Sequence, residues 1–283
     1  MKAELITEAY LRGRVLSREN VSHKGDYGHL LLVCGCQTMP GAAVLATGAA
    51  LRSGCGLVTL HSTERALQAV VNSYPSAILS EDSGPYISTM PASLEKYTAI
   101  AVGPGLGQAP GTLEVLSKLL FSAKRSDIPM LLDADALNLL AAHPALWGEL
   151  PRGSIITPHP GELRRLIPWD TEEGKDAAVR ELCRNNGCTA VIKGYHSRVY
   201  LPDGDCLINT TGNPGMAKGG SGDVLTGLAG GLLARGYMAS DAAALGVWIH
   251  GYAGDRLTAE LTTEAYDSRD IIDSLWTGFK QLY

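Results

Sequence analysis

Short runs that are apolar at almost every position alternate along the chain with stretches whose apolar residues recur at helical spacing. The apolar runs predict strands over 30–33, 57–60, 100–102, 130–133, 155–157, 190–193, 198–201 and 206–209. The spaced pattern predicts helices over 42–53, 113–123, 136–142, 161–166 and 175–186. Continuous apolar strands interleaved with helices imply a mostly parallel sheet covered on both faces. Pro-Asp-Gly-Asp at 202–205 separates two short strands and reads as a hairpin, so an antiparallel pair belongs near the sheet edge. Beyond it the pattern turns helical over 224–235, 240–257 and 269–282. No repeat or linker interrupts the run, which predicts one α/β domain over 1–283.

Composition narrows this. Of 283 residues 33 are glycine, well above the roughly 7% of average usage. They fall in short clusters, which read as tight turns and backbone-lined sites. With 45% hydrophobic residues, 19% charged residues and a mean hydropathy of +0.04, the chain has material for a large core. Only two phenylalanines occur, so Leu, Val, Ile and Ala must fill it. A net charge of −5 without a basic block argues against a nucleic-acid partner. The first thirty residues carry Lys2, Glu4, Glu8, Arg12, Arg14 and Arg18 and no apolar core of a signal peptide. The longest apolar stretch, 224–233, is about half a bilayer span. Six scattered cysteines lack zinc-site spacing and read as buried reduced thiols. The expectation is a cytoplasmic protein.

In such sheets ligands bind beyond the carboxyl ends of the strands. The most informative segment there is Asn209-Thr-Thr-Gly-Asn-Pro-Gly-Met-Ala-Lys-Gly-Gly-Ser-Gly-Asp223, followed at once by an apolar helix. Gly219, Gly220, Ser221 and Gly222 lack bulk where the helix begins, so their N–H groups can close around an anion. Asp223 beside such a hole can take a proton from an attacking hydroxyl, or can be an ordinary N-cap after a glycine turn. Walker A spacing is absent, which excludes P-loop chemistry.

Four further segments end predicted strands. Gly103-Pro-Gly-Leu-Gly107 is a turn that either admits a bulky ligand or simply reverses the chain. Asp133-Ala-Asp135 closes a buried strand, with Asp135 placed to cap the following helix. Thr157-Pro-His-Pro-Gly-Glu162 holds His159 and Glu162 rigidly: His159 can donate to a ligand or be structural, and Glu162 can orient a hydrated Mg²⁺. Lys193-Gly-Tyr-His-Ser197 starts on a lysine that needs an anionic partner, protein or phosphate. Gly41 and Ala42, at the start of an Ala/Gly-lined helix, permit close approach of a ligand, while close packing of that helix on the sheet explains its other small residues.

In this order the motifs resemble the ribokinase-like superfamily, and within it the ADP/ATP-dependent NAD(P)H-hydrate dehydratases. The matching segments are Lys24-Gly-Asp-Tyr-Gly-His29 leading to Gly35, Pro40-Gly-Ala-Ala43, Val102-Gly-Pro-Gly-Leu-Gly107, Leu132-Asp-Ala-Asp-Ala-Leu-Asn138, Thr157-Pro-His-Pro-Gly-Glu162 and Gly219-Gly-Ser-Gly-Asp223. The resemblance covers about residues 10–280. It implies a three-layer α/β/α fold with an antiparallel edge hairpin, and phosphorylation of the C6 hydroxyl of hydrated NADH or NADPH by ADP or ATP, followed by loss of phosphate. It implies Asp223 as the base, Gly219–Gly222 as the anion hole, and Ala42, Gly105, His159 and Asp223 on the hydrated dinucleotide. Lys193, Gly194, Tyr195, His196 and Ser197, with Gly222, would line the adenine nucleotide, and Glu162 would help hold Mg²⁺. It also implies a homotetramer and, because so little chain precedes residue 30, a separate epimerase partner. A stand-alone chain looks like the bacterial, ADP-using type. Sugar kinases of the superfamily place Asn where this chain has His159, which favours the dehydratase branch. The alternatives are a small-molecule kinase of the same fold, acting on a hydroxymethylpyrimidine, a hydroxyethylthiazole or a sugar, and a non-catalytic nucleotide sensor.

Overall fold

A computed structural model describes residues 3–283. In chain order its elements are β1 (Ala3–Ile6), α1 (Glu8–Arg12), β2 (His29–Val33), α2 (Pro40–Leu51), β3 (Leu57–Thr63), α3 (Glu64–Ser73), β4 (Ile78–Asp82) and β5 (Ala99–Val102). Next come α4 (Pro110–Arg125), β6 (Met130–Leu132), α5 (Ala134–Ala142), β7 (Ile155–Ile156), α6 (Pro160–Leu166) and α7 (Glu172–Asn186). The chain closes with β8 (Thr189–Ile192), β9 (Arg198–Tyr200), β10 (Cys206–Asn209), α8 (Ser221–Ala234), α9 (Ala239–Leu261) and α10 (Ser268–Leu282).

The ten strands form one sheet in the order β1-β10-β9-β8-β7-β6-β5-β2-β3-β4. Only β9 runs antiparallel, against β10 and β8. The β9–β10 hairpin therefore lies one strand in from the edge, because β1 adds in parallel beside β10. Successive strand residues point to opposite faces. Leu30 and Leu32 join one core with residues of α2, α3, α8, α9 and α10. Leu31 and Val33 join the other with residues of α4, α5, α6 and α7. Each fully buried leucine contributes about 1.5–3 kcal/mol, so β2, buried at all five positions, anchors both layers.

The eight expected strands are present, with β6, β7, β8 and β9 each ending one residue early, at Leu132, Ile156, Ile192 and Tyr200. That leaves Asp133 and Lys193 just beyond the strand ends. Four elements had no predicted counterpart: β1, α1, α3 and β4. Strands β1 and β4 are the sheet edges, and most of their positions are exposed or half-buried, so no apolar run marks them. The small residues of α2 serve a different neighbour from the one expected. A Cβ on Gly227 of α8 would lie 1.9 Å from the Ala46 carbonyl oxygen, so α2 and α8 meet backbone to backbone. Helix–helix contact, rather than helix–sheet packing, selects alanine and glycine there. All six cysteines are free and buried. No helix of the described residues is long and apolar enough to cross a membrane.

Candidate active site

The parallel strands all end on one rim, and that rim carries the motifs. Strand β6 delivers Asp133, β7 leads to His159 and Glu162, β8 delivers Lys193, and β10 leads into the glycine segment before α8. Because β9 returns antiparallel, the 193–197 turn is held on the same rim.

Gly220 is the N-cap of α8; its φ of +90° suits glycine, and a side chain there would meet Leu45 Cδ1 at 2.3 Å. The first N–H groups of a helix lack intrahelical partners and carry its positive end. The Ser221 N–H turns back to the Lys218 carbonyl at 3.4 Å. Gly222 and Asp223 follow in the open first turn. A Cβ on Gly222 would stand 3.5 Å from Lys193 Nζ and 3.8 Å from Asp133 Oδ2, so this glycine faces the charged centre of the rim.

That centre is an ion pair between a buried carboxylate and a half-buried lysine. Lys193 Nζ donates to Asp133 Oδ1 at 2.6 Å and lies 3.8 Å from Glu162 Oε2. Thr226, one turn into α8 beyond Asp223, donates its hydroxyl to Asp133 Oδ2 at 2.8 Å. The anionic partner of Lys193 is thus protein in this state, and Asp133, at the N-cap position of α5, uses its carboxylate across the sheet instead of capping. Burial and then the Asp133 carboxylate push the Asp223 carboxyl up to about 6, against the opposing pull of Lys193. A carboxyl poised there is ionised at neutral pH yet basic enough to accept a proton. Burial, and then Asp223, also raise the Cys34 thiol at the end of β2.

Asp135 does not cap its own helix. Its carboxylate accepts the Gly107 N–H at 2.8 Å and the Gln108 amide at 3.1 Å, closing the glycine turn after β5. In that turn Gly105, with φ +58°, packs on the start of α2: a Cβ would lie 2.8 Å from Ala42 Cβ. Ala42 and Gly105 are therefore brought together.

His159 caps α6. Its Nδ1 accepts from the Gly161 and Glu162 N–H groups at 2.9 and 3.3 Å, and its Nε2 lies 3.3 Å from Glu162 Oε1. The reciprocal bond, from the His159 N–H to Glu162 Oε2, is 2.8 Å. Nδ1 is committed to the cap, while Nε2 lies near Glu162 Oε1 on a half-exposed side chain that reaches the rim cavity. Glu162 uses one carboxylate oxygen, Oε2, for the bond from the His159 N–H, and the same oxygen lies 3.8 Å from Lys193 Nζ. Among the described residues no cluster of three or more His, Cys, Asp or Glu could hold a metal.

A cavity of about 510 Å³ opens beside this centre. His159, Lys193, Gly194, Tyr195, His196, Ser197, Ser221 and Gly222 line it. Ala42, Gly105, Glu162, Gly219, Gly220 and Asp223 lie outside its lining. Tyr195 is 82% exposed and packs on the His196 ring, with centroids 4.0 Å apart. His196 takes φ +54° and shares a 3.1 Å hydrogen bond with the Asn209 carbonyl, which joins the turn to β10.

The opposite wall went unassigned at the sequence level. It comprises Thr211, Asn213 and Met216 from the loop after β10, Leu225 from α8, and Val247, His250 and Gly251 from α9. Asp255 anchors that loop, accepting from the Gly212 N–H at 2.9 Å and the Asn213 amide at 3.0 Å. Glycines let it sit against α9: a Cβ on Gly251 would strike Thr211 Oγ1 at 2.4 Å. His250 lies 3.4 Å from Ser221 Oγ, and burial, then Lys193, depress its pKa to about 4. A lone histidine inside an apolar helix was the available signal.

Strand order, rim cavity and a glycine-lined helix start bearing a basic carboxylate define a three-layer α/β/α protein with a ligand site beyond the carboxyl ends of its strands. The sequence profile of the NAD(P)H-hydrate dehydratases matches residues 30–276, and the chain belongs to that family. It is similar to an ADP-dependent (S)-NAD(P)H-hydrate dehydratase of Bacillus subtilis, 34% identical over 287 residues that cover 99% of this chain and 100% of the relative. It is also 35% identical, over 96% of its length, to a bifunctional NAD(P)H-hydrate repair enzyme of Moorella thermoacetica, of which it spans 53%. The crystal structure of the Bacillus subtilis ADP/ATP-dependent NAD(P)H-hydrate dehydratase, co-crystallised with ATP/Mg²⁺, superposes with a TM-score of 0.84 at 30% identity, covering 100% of both chains.

Proposed function

We propose that this chain dehydrates the S epimer of hydrated NADH and NADPH, with ADP or ATP as phosphoryl donor. The observation that carries the reading is the placing of Asp223. A carboxyl with a pKa of about 6 stands in the first turn of α8, directly after two residues that line the cavity.

In this reading Asp223 accepts the proton of the C6 hydroxyl as its oxygen attacks the terminal phosphorus of the nucleotide. The P–O bond to the leaving nucleotide breaks, and N–H groups of Gly219–Gly222 take up the charge on the transferred phosphoryl oxygens. The C6–O bond then breaks with the nitrogen lone pair assisting, phosphate departs with the bonding electrons, and loss of a ring proton restores the double bond. Phosphate leaves where hydroxide would not. Lys193–Ser197 and Gly222 bind the adenine nucleotide, and Ala42 and Gly105 approach the hydrated dinucleotide, with His159 offering ring surface. Glu162 would help hold the water shell of a Mg²⁺ ion bound with the nucleotide phosphates, and that ion would supply neutralising charge there. The chain acts in the cytoplasm as a homotetramer, in concert with an NAD(P)H-hydrate epimerase.

Purified protein with NADH hydrate, Mg²⁺ and ADP or ATP should restore reduced-nicotinamide absorbance and release one phosphate per nucleotide consumed. Asp223→Asn should lower that rate by about a hundredfold or more while retaining nucleotide binding. A stable phosphorylated product would instead mark a kinase, and restoration without nucleotide consumption would sink the mechanism.

A further inference from the structure

We propose that Lys218 is a tethered monovalent cation, its ammonium filling a cradle of backbone carbonyls that holds the anion-hole glycines in place. The side chain lies in the glycine segment, immediately before Gly219. Its Nζ donates to the carbonyl oxygens of Thr263 at 3.2 Å and Glu264 at 3.0 Å, and to that of Tyr266. Three donors meet three acceptors, so the ammonium is fully satisfied. Among the described residues no carboxylate lies within ion-pair distance of it, and the Tyr266 ring faces it, with the centroid 4.8 Å from Nζ. Converging carbonyls of this kind replace the water shell of a monovalent cation.

The cradle belongs to the segment between α9 and α10, and the same segment holds the glycine loop elsewhere. Ser268 donates to the Gly219 carbonyl at 2.8 Å, and the Tyr266 hydroxyl donates to Asn213 Oδ1 at 2.7 Å. Gly219 is exposed, and a Cβ there would meet nothing within 4 Å, so these tethers rather than side-chain packing fix its place. The segment opens at Thr262, with φ +95°, a conformation that a β-branched residue keeps only where its surroundings over-determine it. Three carbonyls sharing one cation are such surroundings. Without the ammonium they repel one another, and the loop that aims the Gly219–Gly222 N–H groups loses its anchor. Lys218 is thus a positioning residue, and its effect on rate, though not the cradle itself, rests on the phosphoryl-transfer reading above.

Lys218→Ala leaves the three carbonyls around a space that a free ion can enter. In tetramethylammonium buffer its turnover should fall by about a hundredfold, the usual consequence of a misplaced site, with kcat affected more than the nucleotide KM. Potassium or ammonium, at constant ionic strength, should restore at least about tenfold of that loss, saturably, whereas the wild type should ignore the choice of ion. Melting temperature reads the cradle without any assay of dehydration. That of Lys218→Ala should rise saturably with potassium or ammonium and not with tetramethylammonium. Lys218→Met, which fills the space with an apolar chain, should gain nothing from either ion. If Lys218→Ala is recovered only as aggregate, Lys218→Ser carries the same ion series. Wild-type turnover of the alanine variant in tetramethylammonium, or a melting temperature indifferent to ion identity, would overturn the proposal. A wild type inactive on NADH hydrate would overturn the reaction and leave the melting series to decide the cradle.

Discussion

Asp223 is where the competing influences of the site meet. Burial and Asp133 raise its pKa, Lys193 lowers it, and the outcome is about 6. A base must be ionised to act, so kcat/KM should rise with pH through about 6. Asp133→Asn removes one raising influence and frees Lys193 to face Asp223, so that limb should move to lower pH. A limb that stays in place would mean another group sets it. The same shift has a cost in stability. The folded pKa lies above the ordinary 3.8, so the folded state holds this proton more tightly. The stabilisation is complete below that ordinary value and is lost as pH rises through about 6. At working pH the site therefore keeps a charge that folding would prefer neutral.

At the scale of elements, the contact between α2 and α8 sets where the anion hole stands. Ala43, Ala46, Ala49 and Ala50 of α2 are all fully buried, and Gly227 and Gly231 of α8 admit the neighbouring backbone and Ser53. Gly227→Ala puts a methyl against the Ala46 carbonyl, which must force the helices apart. It should destabilise by about 1–3 kcal/mol or more in denaturant unfolding. Gly219→Ala, with open space around its Cβ, should stay within about 0.5 kcal/mol. Equal losses for the two would show that α8 tolerates displacement and that close packing does not hold it.

At the scale of the whole molecule, the cavity draws its walls from β7–β8, β10, α8 and α9, elements that touch only when the fold is complete. Nucleotide should therefore bind the folded chain alone. ADP at a hundred times its Kd then adds about 2.7 kcal/mol, which for a chain of this size raises Tm by roughly 5–10 °C. A Tm unmoved by ADP would take the adenine nucleotide out of this cavity.

Much of this was legible residue by residue. Buried strands advertise themselves because both faces demand apolar side chains, and the start of α8 because glycines before an apolar helix have few other uses. Asp223 was a candidate on its own sequence neighbourhood, although cap and base both remained open there. Strands β1 and β4 were not legible, since an edge strand with one wet face carries no continuous apolar run. The single role left open for Lys193, an anionic partner of either kind, was decided by Asp133, sixty positions earlier. Thr226 reaches that same carboxylate from ninety-three positions away, and Lys218 finds its carbonyls more than forty positions downstream. His159 and Glu162 turned inward on each other, a choice made by the first turn of α6. Propensity and periodicity act over a few neighbours and write themselves into the chain. The charge of Asp223 and the anchoring of its loop depend on groups brought near by strand order and helix packing, and so belong to the tertiary structure alone.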